Sequence, residues 1–110
     1  MSVFNDRLLL REITSPKSSA IFEVASLSSS LIIKLAAPGA ATCLIRVYGG
    51  FYDNEKDAWE IRTTDLEVNV LAPEETRTNF LTITKMAQVE VISITGVDAK
   101  VTIGFVNYTL

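Results

Sequence analysis

A chain of 110 residues, 48% apolar and 21% charged, makes one domain with a genuine but thin core. Its formal net charge of −3, with basic residues scattered singly from Arg7 to Lys100, argues against a general nucleic-acid role, because an acidic surface repels phosphate backbones. With no histidine and one cysteine, the chain has no means for Ser-His-Asp or Cys-His nucleophiles, an internal disulfide or the common zinc sites.

The β-branched residues are in excess: 10 Val, 10 Ile and 11 Thr. Branching at Cβ suits a pleated surface better than a helix. The longest apolar stretches, Leu8 to Leu10, Leu31 to Ile33 and Leu35 to Ala37, fall far below the ~20 residues that span a bilayer. No membrane partner and no secretory leader is therefore expected, and the chain is expected to start in the cytoplasm. On that ground the Asn107-Tyr108-Thr109 triplet is read as a chance match to the N-glycosylation pattern. Cys43, between Thr42 and Leu44, reads as a small buried apolar side chain. No cofactor is expected.

Taken in chain order, turn signals cut the sequence into short runs. Breaks fall at Ser15-Pro16-Lys17, beside Ser28 to Ser30, at Pro38-Gly39, from Gly49-Gly50 through Asp57, at Thr63-Thr64-Asp65, at Ala72-Pro73-Glu74-Glu75, at Lys85-Met86 and at Gly96-Val97-Asp98. Between them apolar residues recur every second position, as in Leu66, Val68, Val70 or Val101, Ile103, Phe105. The spacing predicts strands near 7–13, 19–25, 30–36, 42–48, 58–63, 65–71, 78–84, 87–95 and 99–108. Eight or nine short strands at this spacing imply an all-β, antiparallel β-sandwich or jelly roll occupying residues 1–110. The alternative kept open is a short helix over 5–13, capped by Asn5 or Asp6. Residues 1–17 form a segment that an assembly arm or an edge strand would draw on, and the last strand either joins a sheet or reaches for a neighbour.

Three places carry adjacent apolar residues that one face of a regular strand cannot hold: Leu31-Ile32-Ile33, Leu44-Ile45 and Val91-Ile92. Each requires a β-bulge or an apolar outer face, and apolar outer faces mark interfaces. Ile32 is accordingly an interaction candidate, and Leu8 and Leu10, in the N-terminal segment, are others.

The loop after Gly50 holds the other candidates. Asp53, Glu55 and Asp57 have the first three spacings of a calcium loop, but Ala58 and Thr64 stand where the EF-hand pattern needs Gly and Glu, so they are weak calcium candidates and no metal is assigned. Tyr48, Phe51, Tyr52 and Trp59 cluster around the same loop. Together they could form a stacking surface for a sugar or a protein; the plainer reading, preferred for Trp59, is that Trp59 and Tyr48 fill the core while Phe51 and Tyr52 cap one end of the sandwich. Among the carboxylates, Glu12, Glu23, Glu67 and Glu90 alternate with apolar residues on predicted strands and Glu74-Glu75 lies in a loop, so none is assigned a catalytic role and no enzyme activity is expected.

Tyr48-Gly49-Gly50, the Asp53-Asn54 tip and Trp59 together resemble a hairpin that recurs in small β-sandwich virion modules of tailed phages. Phe80 to Thr84, Val89 to Thr95, Gly96 and Lys100 to Tyr108 are similar in style to their closing strands, so the likeness covers residues 42–108. It implies a capsid decoration or cement protein located in the virion: non-enzymatic, a homo-oligomer of trimeric type, and docked on a lattice such as a major capsid protein. It carries over no site residue. The alternative is a carbohydrate-binding type of ligand module that uses the aromatic and acidic loop 48–59.

Overall fold

The computed structural model describes residues 3–24, 28–71, 74–80 and 86–109, with side chains for residues 7–24, 30–60 and 86–106. Nine antiparallel strands run in order: β1 (Val3–Ile13), β2 (Lys17–Ser18), β3 (Phe22–Glu23), β4 (Ser28–Ala36), β5 (Thr42–Asp53), β6 (Ala58–Leu71), β7 (Glu74–Phe80), β8 (Met86–Thr95) and β9 (Lys100–Thr109). One sheet has the order β1-β9-β4-β7. The other has the order β2-β8-β5-β6, with β3 also pairing β8.

Since β2 and β3 lie along the same strand of the second sheet, they act as two halves of one broken edge strand. The pairing is then that of a hairpin wound on itself. The first strand pairs with the last, the broken second with the last but one, β4 with β7 and β5 with β6. That is the jelly-roll arrangement of the β-sandwich, and it makes β9 an interior strand held between β1 and β4. The C-terminal strand is thus tied into a sheet.

The inner faces follow the period of two. Leu31, Ile33 and Leu35 of β4 and Val101, Ile103 and Phe105 of β9 meet Cys43, Ile45 and Val47 of β5 and Ala87, Val89 and Val91 of β8, all buried in one cluster. Across the two layers, Phe22 and Phe105 pack with ring centroids 4.9 Å apart, a tilted aromatic pair. Desolvation among these side chains raises the Cys43 thiol to about 11 from its usual 9.0.

Bulges settle where the rhythm slips. On β8, Leu44 pairs Ser93 while Ile45 pairs Val91, so Ile92 is the extra residue of a β-bulge, and this lets both Val91 and Ile94 turn toward the core. The predicted break at Thr63 to Asp65 is no connection: β6 runs through it, with register shifts opposite Val47/Tyr48 and Gly49/Gly50. Glu74 and Glu75, predicted in a loop, begin β7 opposite Leu35 and Lys34. Residues 5–13 are strand and not helix: Asn5 to Leu8, Leu10 and Ile13 pair with β9, with register shifts between Leu8 and Leu10 and between Leu10 and Ile13. The predicted breaks at 72–73 and 85 lie outside the described residues.

Candidate functional site

Among the described residues, two surfaces of this sandwich bring exposed apolar side chains together. The first is the far end of the β5–β6 hairpin. Among the described residues, β8 accompanies β5 only as far as Gly49↔Ala87, while β5 and β6 continue together to Asp53↔Ala58. Twelve residues of strand span roughly 40 Å, most of the molecule's 46 Å length. The radius of gyration, 14.5 Å, exceeds the ~13 Å of a compact chain of this size.

The hairpin end is built by local polar chemistry. Asp53 Oδ1 accepts the amide N–H of Glu55 at 2.9 Å and of Lys56 at 3.3 Å, and Asp57 closes the turn in the left-handed region at φ 53°. Lys56 pairs with Glu60 at 2.8 Å on the surface. Asp53 therefore spends a carboxylate oxygen on its own backbone. Among the described residues no group of three His, Cys, Asp or Glu side chains is placed to hold a metal ion, Asp53, Glu55 and Asp57 included.

The aromatic residues are displayed on this scaffold. Tyr52 and Trp59 are directly opposed across the hairpin, so they share one face, with ring centroids 5.5 Å apart at 68°, edge to face. Tyr52 is 42% and Trp59 37% exposed, and Phe51, opposite Glu60, is 45% exposed. Trp59 is therefore not a core filler. The core ends at the two buried glycines, Gly49 and Gly50, and Trp59 lies beyond them. Tyr48 is half-buried on the outer face of its sheet, where its hydroxyl donates to Glu90 Oε1 at 2.6 Å.

The second surface is the outer face of the β1-β9-β4 sheet. Leu8, Gly104 and Ile32 are neighbours in one row across it. Gly104 sits among β-branched residues in β9, and without a side chain it forms the floor of an open concavity of about 390 Å³. Leu8, Ile32 and Val106 supply its apolar walls, Lys34 lines it from β4, and the Arg7 backbone closes one side. A Cβ placed on Gly104 would meet only Arg7 O, at 3.8 Å, so the space above it is open.

Of the predicted interaction residues, the structure brings Leu8 and Ile32 together in this groove and places Phe51 and Tyr52 on the hairpin end. Leu10 is a correction: it is buried at 5% exposure in the core. A register shift between Leu8 and Leu10 turns two residues of equal parity to opposite faces, Leu8 outward at 47% exposure and Leu10 inward. Gly104, Val106 and Lys34 were not singled out as contact residues by sequence reasoning, and Trp59 was preferred as a core residue. The glycine inside an alternating strand was the available signal, since such a glycine marks a close approach or a hollow.

Fold and site together define a jelly-roll β-sandwich with two solvent-facing apolar surfaces. No protein-family model and no curated protein matches the chain. Among solved structures it is similar to the crystal structure of the SPBc2 prophage-derived protein YomS, with a TM-score of 0.59 and 16% identity, over 99% of this chain and 96% of that one. At that identity the likeness is one of fold.

Proposed function

We propose that this protein is a non-enzymatic structural or assembly protein of a tailed-phage particle, of the capsid decoration or cement type, acting through contacts with copies of itself and with a larger protein lattice. The observation that carries the reading is the pair of exposed apolar surfaces, Tyr52 with Trp59 on the hairpin and Leu8 with Ile32 around Gly104, none of which belongs to the buried core cluster of the described residues. Apolar patches of this kind are commonly covered in use. The fold shared with a prophage-derived protein supports the phage setting.

The carbohydrate-binding alternative needs aromatic faces presented to a sugar. Tyr52 and Trp59 meet edge to face, at 68°, and so do not make one flat platform. Their geometry favours a protein contact, in which aromatic side chains insert between others.

Sedimentation equilibrium tests the proposal. The expected result is a mass that rises above the 12.1 kDa of one chain with concentration, and co-sedimentation with phage capsids that lack the protein. A 12.1 kDa species at every concentration, with no binding to such particles, contradicts it. A thermal shift with glycans and none with capsid would favour the alternative.

A further inference from the structure

The two sheets have four edges, and among the described residues three of them are interrupted. β1 slips register between Leu8 and Leu10 and again between Leu10 and Ile13. β6 slips twice against β5, and the edge made by β2 and β3 is broken between Ser18 and Phe22. Bulges and breaks of this kind keep foreign strands off a sheet. The fourth edge is β7, which ends the order β1-β9-β4-β7. Its seven residues, Glu74 to Phe80, pair with β4 from Leu35 back to Ser29 without a register shift. Among the described residues no strand pairs with its other side. A regular edge of that length is a template for one more strand.

The sequence of β7 fits its own copy in one register. Along a strand the amides turn to alternate sides, so two identical antiparallel strands pair only when centred on a residue that lies opposite itself. Centred on Glu74, Glu75 or Arg77, the pairing sets like charges directly opposite. Centred on Thr78, Asn79 or Phe80, it brings no opposite charges together. Centred on Thr76, it sets Glu75 opposite Arg77 in both directions and Glu74 opposite Thr78. Opposite charges directly across a ladder stabilise it, and like charges weaken it. We infer that β7 pairs antiparallel with β7 of a second copy about a twofold axis at Thr76, so that two four-stranded sheets become one continuous sheet. The contact rests on the self-assembly reading above and is separate from the two apolar surfaces. Because the same patch meets itself, the contact closes as a dimer.

The test is sedimentation velocity on the full chain with exchanged charges. Glu75→Arg and Arg77→Glu each set like charges at both crossings, and each alone should weaken association on the order of tenfold. Mixed in equal amounts, the two variants have opposite charges at both crossings and should associate as wild type does. The double variant, Glu75→Arg with Arg77→Glu, should do so by itself, which separates loss of the contact from loss of folding. Hydrogen exchange gives a second readout: amides of residues 74–80 should gain protection as protein concentration rises. Single variants that associate as wild type does overturn the contact and leave the assembly reading standing. So does a mixture or a double variant that stays as weak as the single ones. Protection of those amides by phage capsids that lack the protein, and not by concentration, gives the edge to a lattice strand and also overturns the contact. A wild type that is monomeric at every concentration overturns it too, and the assembly reading falls with it only if capsid binding is absent.

Discussion

Ser19 and Val89 exchange two hydrogen bonds: the Ser19 amide donates to the Val89 carbonyl at 2.8 Å, and the Val89 amide donates to Ser19 Oγ at 3.1 Å. A side chain thus takes the place of a backbone acceptor where the edge strand breaks. Ser18 pairs Glu90 and Phe22 pairs Ala87, so three residues face two and the ladder loses a rung there. Val89 is fully buried and Ser19 nearly so, at 5% exposure. Ser19→Ala should strand the Val89 amide and destabilise the protein by about 1–3 kcal/mol, measured by urea unfolding. A loss below ~0.5 kcal/mol would show that another acceptor, or water, takes the amide.

Gly96, in the turn between β8 and β9, and Gly39, between β4 and β5, should respond differently to one substitution. Gly96 has φ +119°, and a Cβ there would lie 2.5 Å from Ala41 Cβ and 2.9 Å from Ala40 O. Gly39 has nothing within 4 Å of its added Cβ. Gly96→Ala should cost upward of ~1–3 kcal/mol in strain. Gly39→Ala should be neutral or slightly stabilising by reducing the freedom of the unfolded chain, by up to about 1 kcal/mol. Melting temperatures of the two variants, compared with wild type, check both.

Cys43 supplies a pH-dependent prediction. The folded thiol is raised to about 11 while the unfolded one ionises near 9.0. The unfolded state therefore loses its proton first, and stability is full below pH 9 and falls as pH rises toward 11. Cys43→Ala removes that component, so unfolding free energies at pH 8 and pH 10.5 should differ less in the variant. In the native protein the thiol should resist alkylating reagents at neutral pH and react on unfolding, which a mass-spectrometric time course would show.

The outer-face groove predicts a separation of stability from assembly. Leu8 is 47% exposed, and surface substitutions of this kind stay within about ±0.5 kcal/mol. Leu8→Glu should therefore leave the melting temperature nearly unchanged yet lower the sedimentation coefficient at high concentration. Leu10→Glu, two residues on and buried at 5% exposure, should prevent folding, because it places an unpaired carboxylate in the core. Circular dichroism on both variants checks the contrast.

Much of the fold was legible because the signal is a period of two. Val101, Ile103 and Phe105 mark an inner face and were read as one. The adjacent Val91 and Ile92 demanded a bulge or a covered outer face, and the structure has the bulge at Ile92. What was hidden depends on bulges that leave no residue signature. The slip between Leu8 and Leu10 exchanges their faces, and the Thr63 to Asp65 cluster reads as a turn although β6 runs through it. Trp59 was misplaced for a different reason. A lone tryptophan is read as core because of its size, and only the three-dimensional course of β5 and β6 beyond Gly49 shows that it lies past the core. The groove around Gly104 needs three strands side by side, and no single stretch of sequence contains it.

Trp59 is the chain's sole tryptophan, so its emission reports directly on the hairpin end. Dilution of the protein from high to low concentration should move the emission from blue-shifted and quencher-protected to red and accessible, in step with the fall in sedimenting mass. Red, accessible emission at every concentration, unchanged on addition of capsid, would contradict the claim that this hairpin is an assembly contact.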